Sequence, residues 1–430
     1  EKPYVWKCSK GGEEWYDGAV VKHPQTGAEV TVHDDGNGWL APEGFLHQGR
    51  RYFFVAAYRY FLIGKLFSGP YEGDGGSTYR GGTPVTQLAL AYAFTGDPKY
   101  AHKCGVMLNR LAEVYRFYDG GVEGPSQRQD GYIGNTFERF LVQNLIQACD
   151  LVWEEVGQDE ALAQFFAAKH AAGGTASPAG RVRPPHGQQG WPWHPAPSVP
   201  GDYNADGKAT AADVQFNLQR NLLGYIYEYL HRCMPYFDGD FLMYEMTALA
   251  ALAATLGNDE ITREVLESDV GLRVLLTNSW FRDGKFIYDS TGYNLGNAQT
   301  PLQIAEWLHG VPYQGHPLDL YNAPDYRMSA LFDFIRHVDC DGRVPQIGDV
   351  GGSRSRNLRE TPAYSTYDER ALLRLPAQRE VYHNKLLAAA GGDLESLRDT
   401  RADAWLVFHA GPPLPPVPAA QVHAEAPQSH

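Results

Sequence analysis

The chain has 430 residues, 43% of them hydrophobic and 20% charged, and its 37 Lys+Arg against 51 Asp+Glu give a formal net charge of −14 at pH 7. That composition belongs to a folded globular protein with a large core, not to a disordered one. No apolar run approaches the roughly 18–20 residues of a membrane-spanning helix, and no basic stripe marks the chain for nucleic acid.

Residues 1–44 are rich in Gly, Asp and His and read as an irregular lead-in. In WKCSKGG (6–12) a C-x-x-C-G pattern carries Gly11 in place of the second Cys, which argues against zinc there. From RRYFFVAAYRYFLIGKLF (50–67) onward the dominant period is helical. TPVTQLALAYAFTGDPKYAHKCGVMLNRLAEVY (83–115) reads as a helical hairpin: Gly96 supplies a left-handed C-cap, Asp97 an N-cap, and Pro98 the first helical position. Amphipathic segments follow at 134–156, 211–233, 298–310 and 325–338. EMTALAALAATLGNDEITREVLE (245–267) repeats the hairpin grammar around Gly257 and Asn258.

Residues 171–201 are rich in Pro and Gly and have no period, which marks a long surface excursion within the helical array. AWLVFHAG (404–411) is the first good strand pattern. The five Cys are widely spaced with no C-x-x-C pair, and Cys104, Cys149 and Cys233 fall in helical patterns as small hydrophobes. The expected fold is therefore mainly α, a toroid or solenoid of helical hairpins, with the beginning of a C-terminal β-domain.

Three polar segments carry chemistry. GDYNADGKATAADV spaces Asp202, Asn204, Asp206, Thr210 and Asp213 as positions 1, 3, 5, 9 and 12 of a calcium loop, with Gly207 at the sharp turn. It resembles one half of a dockerin repeat, and only one half is present, so a dockerin partner is not expected. An Asx-rich turn in which Thr210-x-x-Asp213 opens a helix explains the same residues. DSTGYNLGNAQTP (289–301) holds Tyr293 after a Thr291-Gly292 turn, among Asn294, Asn297 and Gln299 and without apolar neighbours at either period. DCDGRVPQIGDVGG (339–352) is a Gly-punctuated loop with Gln346 and Asp349, followed by Arg354, Arg356 and Arg359, the best local anion site on an acidic chain.

LALAYAFTGDPKYAHK, DGKFIYDSTGYNLGNAQ and DGRVPQIGD, in that order and at those separations, resemble the heparinase II/III-like polysaccharide lyases over roughly residues 45–410. The resemblance implies an (α/α) toroid (45–400) with an insertion at 171–201, and a β-sandwich domain whose start is residues 401–430. It implies β-elimination on an acidic, uronic-acid-containing glycan in a secreted or periplasmic setting. Tyr293 matches the family's catalytic Tyr. A Tyr that only hydrogen-bonds a loop in place is the plain alternative.

Where relatives carry Asn and His or Gln on an inner helix, DGDFLMYEMTALAALAA offers Asp240, Tyr244 and Glu245, the first as a substrate contact and the others as catalytic groups. The family's His-x-His-x-Asp-like motif has at most its beginning here, in Gln428 and His430, so His430 is a further catalytic candidate and zinc is expected only in the remainder of that β-domain. Asn294, Asn297, Gln299, Gln346, Asp349 and Arg354 are expected cleft residues, with Trp280 and Trp307 as stacking platforms. The chemistry needs no cofactor; calcium would be structural. A toroidal glycoside hydrolase using Asp240, Glu245, Glu138 or Asp349, and a non-catalytic glycan binder, are the competing readings.

Overall fold

A computed structural model describes residues 6–7, 14–15, 18–22, 27, 29–34, 38–47, 50–57, 84–115, 138–171, 199–233, 239–288, 290–337, 370–389 and 392. The chain is mainly helical, with small antiparallel sheets, and divides into two compact units, Glu1–Tyr236 and Phe237–His430.

The first unit begins with strands. β1 (Trp6–Lys7) pairs with β2 (Glu14–Trp15), and β3 (Val20–Lys22) with β4 (Glu29–Thr31). β5 (His33–Asp34), β6 (Gly38–His47) and β7 (Arg50–Ala57) form a three-stranded antiparallel sheet with Trp39 opposite Ala56 and Phe45 opposite Tyr52. This corrects two expectations, an irregular lead-in and a helical period from residue 50. RRYFFVAA is a short, nearly continuous apolar run, which periodicity alone cannot assign, and its aromatic residues suit a pleated surface once β6 supplies the pairing edge.

The helical part follows the sequence closely. α1 (Pro84–Thr95) and α2 (Pro98–Tyr115) form the expected hairpin. Gly96 is left-handed at φ 66°, and the Asp97 carboxylate accepts Lys99 N–H at 3.1 Å. α3 (Glu138–Val156) packs against both, and α4 (Glu160–Ala171) against α2. Cys104 and Cys149 are free and buried in this layer; burial, with the neighbouring Cys149 reinforcing it, pushes the Cys104 thiol upward. After the loop at 199–210, α5 (Ala211–Asn217), a π-helical turn (Leu218–Leu223) and α6 (Gly224–Cys233) run on continuously. Nearly all of the 171–201 excursion lies outside the described residues.

In the second unit α7 (Gly239–Leu256) is buried almost all round: Met243, Met246 and the run Ala248–Ala253 are inaccessible to solvent. Such a helix belongs in the middle of its unit. Gly257 at φ 57° ends it, and the Asn258 side chain caps α8 (Asp259–Glu267) by accepting Glu260 and Ile261 N–H. α9 (Leu272–Ser279) leads into a tight hairpin in which Trp280 bridges Phe286. α10 (Thr291–Leu308) packs on α7, and its Ala298, Leu302, Ala305 and Leu308 are fully buried. β8 (Pro312–Tyr313) and β9 (His316–Pro317), α11 (Met328–His337), a short helix at 370–374, a 3-10 turn (Pro376–Gln378) and α12 (Arg379–Ala389) complete the described part. The expected strand at 404–411 lies outside it.

Candidate active site

The polar segment around Tyr293 is built from the hairpin and the first turns of α10. Phe281 N–H donates to Lys285 O at 2.8 Å and Gly284 N–H to Phe281 O at 3.1 Å, closing a turn in which Gly284 has φ 83°. A Cβ on Gly284 would collide with the backbone carbonyl of Ala330. Only glycine satisfies both the left-handed φ and that close approach.

Tyr293 lies in a helix, not after a loop turn. The Ser290 hydroxyl accepts Tyr293 N–H at 3.3 Å, and Asn294 N–H bonds back to Ser290 O at 2.9 Å, so α10 begins at Thr291. Gly292, Gly296, Asn294 and Asn297 are weak helix formers, which hid this start in the sequence. Packing on α7 overrides them. The helix even carries Pro301 in its interior, which leaves the Asn297 carbonyl without its usual i+4 donor.

The Tyr293 side chain is 42% exposed, and among the described residues nothing hydrogen-bonds its hydroxyl. Its ring is braced from below. Trp280 meets Phe286, Phe286 meets Tyr288 and Tyr288 meets Tyr293, with centroids 4.7, 4.7 and 6.1 Å apart. The last two contacts are edge-on, the favoured arrangement for aromatic pairs. The result is a phenol on a rigid helical turn, facing water.

The other expected site residues divide sharply. Asn294 is buried, and its amide donates to Tyr288 O and Ser290 O, both at 2.6 Å. It ties the hairpin to the helix start instead of lining a cleft. Asn297 is also buried, and its Nδ2 has no partner among the described residues. Gln299 is half-buried. Trp280 is only 5% exposed and so offers no stacking face, and Trp307 is half-buried. A single sequence could not separate these cases, because facing direction is set by register.

On α7, Tyr244 is half-buried and Glu245 is 1% exposed. Asp240 sits in the first turn of the same helix, but its side chain and that of Glu138 are outside the described residues, as are Gln346, Asp349, Arg354 and His430. Of the four carboxylates read for a hydrolytic pair, only the Glu245 side chain is among those described, and it is buried.

The calcium-like loop lies in the first unit. Asp202 accepts Asp206 N–H at 3.0 Å and Gly207 N–H at 2.9 Å, and Asn204 Oδ1 accepts Asp206 N–H at 2.9 Å. Left-handed Ala205 (φ 63°) and Gly207 (φ 92°) fold positions 1, 3 and 5 together. Asp213 closes the loop, accepting Asn204 N–H at 3.1 Å, Thr210 N–H at 2.9 Å and the Thr210 hydroxyl at 3.0 Å. The helix-opening role read for Thr210-x-x-Asp213 is thus present. Among the described residues no group of three or more His, Cys, Asp or Glu is disposed to hold a metal ion. Tyr203 anchors the loop to α2 through Glu113, which pairs with buried Arg110 at 2.9 Å.

No family model and no curated protein matches the chain. Among the described residues no helix is long and apolar enough to cross a membrane.

Proposed function

We propose that this chain is a polysaccharide lyase that cleaves an acidic, uronic-acid-containing glycan by β-elimination, with Tyr293 as its working phenol. The observation that carries the reading is the state of that side chain: 42% exposed, without a hydroxyl partner among the described residues, and fixed through both its backbone cap and its ring. The helical hairpins support the toroid that the resemblance implies. A secreted or periplasmic location follows from the substrate class.

The chemistry breaks two bonds, C5–H and C4–O, and forms one C4–C5 double bond. A base removes the C5 proton of the uronate. The electron pair forms the C4–C5 double bond, and the C4 oxygen leaves with a proton. Positioned general acids typically contribute about 10²–10⁴-fold, and the Tyr293 phenol is the group able to deliver that proton. The uronate carboxylate must be neutralised for C5 to become acidic enough. Buried Glu245 cannot do this while ionised, so the neutralising donors belong to other residues, with Arg354 the proposed cation.

The test is growth of near-ultraviolet absorbance from the unsaturated product on a panel of uronate polysaccharides. Tyr293→Phe is expected to lower kcat by about 10²–10⁴-fold while leaving glycan binding intact. New reducing ends without absorbance would replace this reading by hydrolysis.

A second reading concerns the loop. The side-chain oxygens of Asp202 and Asn204 gather on the Asp206 and Gly207 N–H groups, and each has a lone pair beyond its hydrogen bond. We propose that they, with Asp206, Thr210 and Asp213, hold a structural calcium ion. Calcium should raise the melting temperature of wild type and not of Asp206→Ala; equal melting curves would remove the ion.

A further inference from the structure

The hairpin that precedes Tyr293 has two faces. Trp280 and Phe286 pair across it and point into the core, at 5% and 0% exposure. Side chains alternate along each arm, so Phe281, Lys285 and Ile287 share the opposite face. Phe281 N–H bonds Lys285 O, and Ile287 N–H bonds Ser279 O at 3.0 Å, which fixes that pairing. Phe281 is 53% exposed and Ile287 44%. Large apolar side chains left half in water call for an explanation when they share a face.

Lys285 lies over the Phe281 ring, its Nζ 5.5 Å from the centroid. This is cation–π range. The neighbouring Arg282 is exposed as well. An aromatic face beside an ammonium group matches the two halves of an acidic sugar, whose C–H face is apolar and whose carboxylate or sulfate is anionic. The inner side of the same hairpin carries the Trp280–Phe286–Tyr288 stack that ends on Tyr293.

We infer that Phe281 and Lys285 form a binding subsite for one acidic sugar unit of the glycan, with the ring stacked on Phe281 and its anionic group paired to Lys285. This rests on the acidic-glycan reading above and deepens it. It also transfers the stacking role expected of Trp280 to the residue beside it. The hairpin register hides Trp280 and presents Phe281.

The test uses the full chain as wild type, Phe281→Ala, Phe281→Tyr, Lys285→Gln and Tyr293→Phe. Binding to uronate oligosaccharides and to a carboxyl-reduced, uncharged counterpart is measured by calorimetry, beside turnover by absorbance. Phe281→Ala is expected to weaken binding of both glycans about tenfold, and Phe281→Tyr to restore it. Lys285→Gln should weaken only the acidic one, about fivefold and more strongly at low salt. In turnover both changes should appear in KM, with kcat preserved.

Wild type that binds acidic glycans without raising absorbance, with binding still lost in Phe281→Ala, would sink the lyase reading and leave the subsite standing. Wild-type affinity in both Phe281→Ala and Lys285→Gln would overturn the subsite even if turnover is seen. So would a wild type that binds no member of the panel. Phe281 is largely in solvent, so an unchanged melting temperature is expected and separates these outcomes from misfolding.

Discussion

Two polar, glycine-punctuated segments of this chain look alike as strings of letters and behave differently as structures. In the Asp202–Asp213 loop the carboxylates find donors within the same dozen residues. In the Trp280–Asn297 segment the polar groups are shared between a hairpin and a helix, buried Asn294 Oδ1, Asn297 Nδ2 and Trp280 Nε1 have no partner among the described residues, and aromatic rings stand in water. A segment that satisfies itself needs little help from its surroundings. One that leaves buried polar atoms without partners, at about 1–3 kcal/mol each, departs from ordinary packing, as functional sites often do.

The largest expected effect breaks the second segment at its turn. Gly284→Ala forces a Cβ into the Ala330 carbonyl at a left-handed φ, and neither backbone can yield by rotating a side chain. It should cost about 3 kcal/mol or more, read by denaturant unfolding. A loss below about 1 kcal/mol would mean that the hairpin does not pack on α11 as described.

Asp213→Ala is the matching break in the first segment. It removes one carboxylate that holds Asn204, Thr210 N–H and the Thr210 hydroxyl, and should cost about 2 kcal/mol without calcium. Asp213→Asn, which keeps an acceptor oxygen, should recover part of that.

The comparison sharpens within α10 itself. Asn294→Ala strips donors from two carbonyls and should cost about 1–3 kcal/mol. Asn297→Leu removes a buried amide donor that has no partner among the described residues and should be neutral or stabilising. Equal losses at the two positions in thermal unfolding would show that Asn297 has a partner after all.

The smallest effect lies at the far end of α10. Burial alone would raise the Glu306 carboxyl, but the hydrogen bonds and charge of Arg374, with help from Arg370 and Tyr321, hold it below the ordinary value. Arg374 Nε donates to it at 3.1 Å. A carboxyl lowered on folding stabilises above its unfolded value, and that contribution is lost as pH falls through the folded one. Melting temperature should therefore drop on acidification from pH about 6 to about 3, and less steeply in Glu306→Gln. With the side chain 36% exposed, solvent screening limits the difference to about 1 kcal/mol.

What the sequence determined by itself is local. The caps at Gly96–Asp97–Pro98 and Gly257–Asn258, the helices they separate, and the folding of the Asp202–Asp213 loop all follow from hydrogen bonds between residues a few positions apart. Tyr293 stood out because Asn294, Asn297 and Gln299 surround it, and it is 42% exposed. The tertiary structure decided the rest. RRYFFVAA became a strand only because β6 offers an edge. The helix of Tyr293 started at Thr291 despite its glycines because α7 offers a surface to bury against. Trp280 went inward and Phe281 outward because strand pairing, which depends on atoms distant in sequence, sends neighbouring side chains to opposite faces.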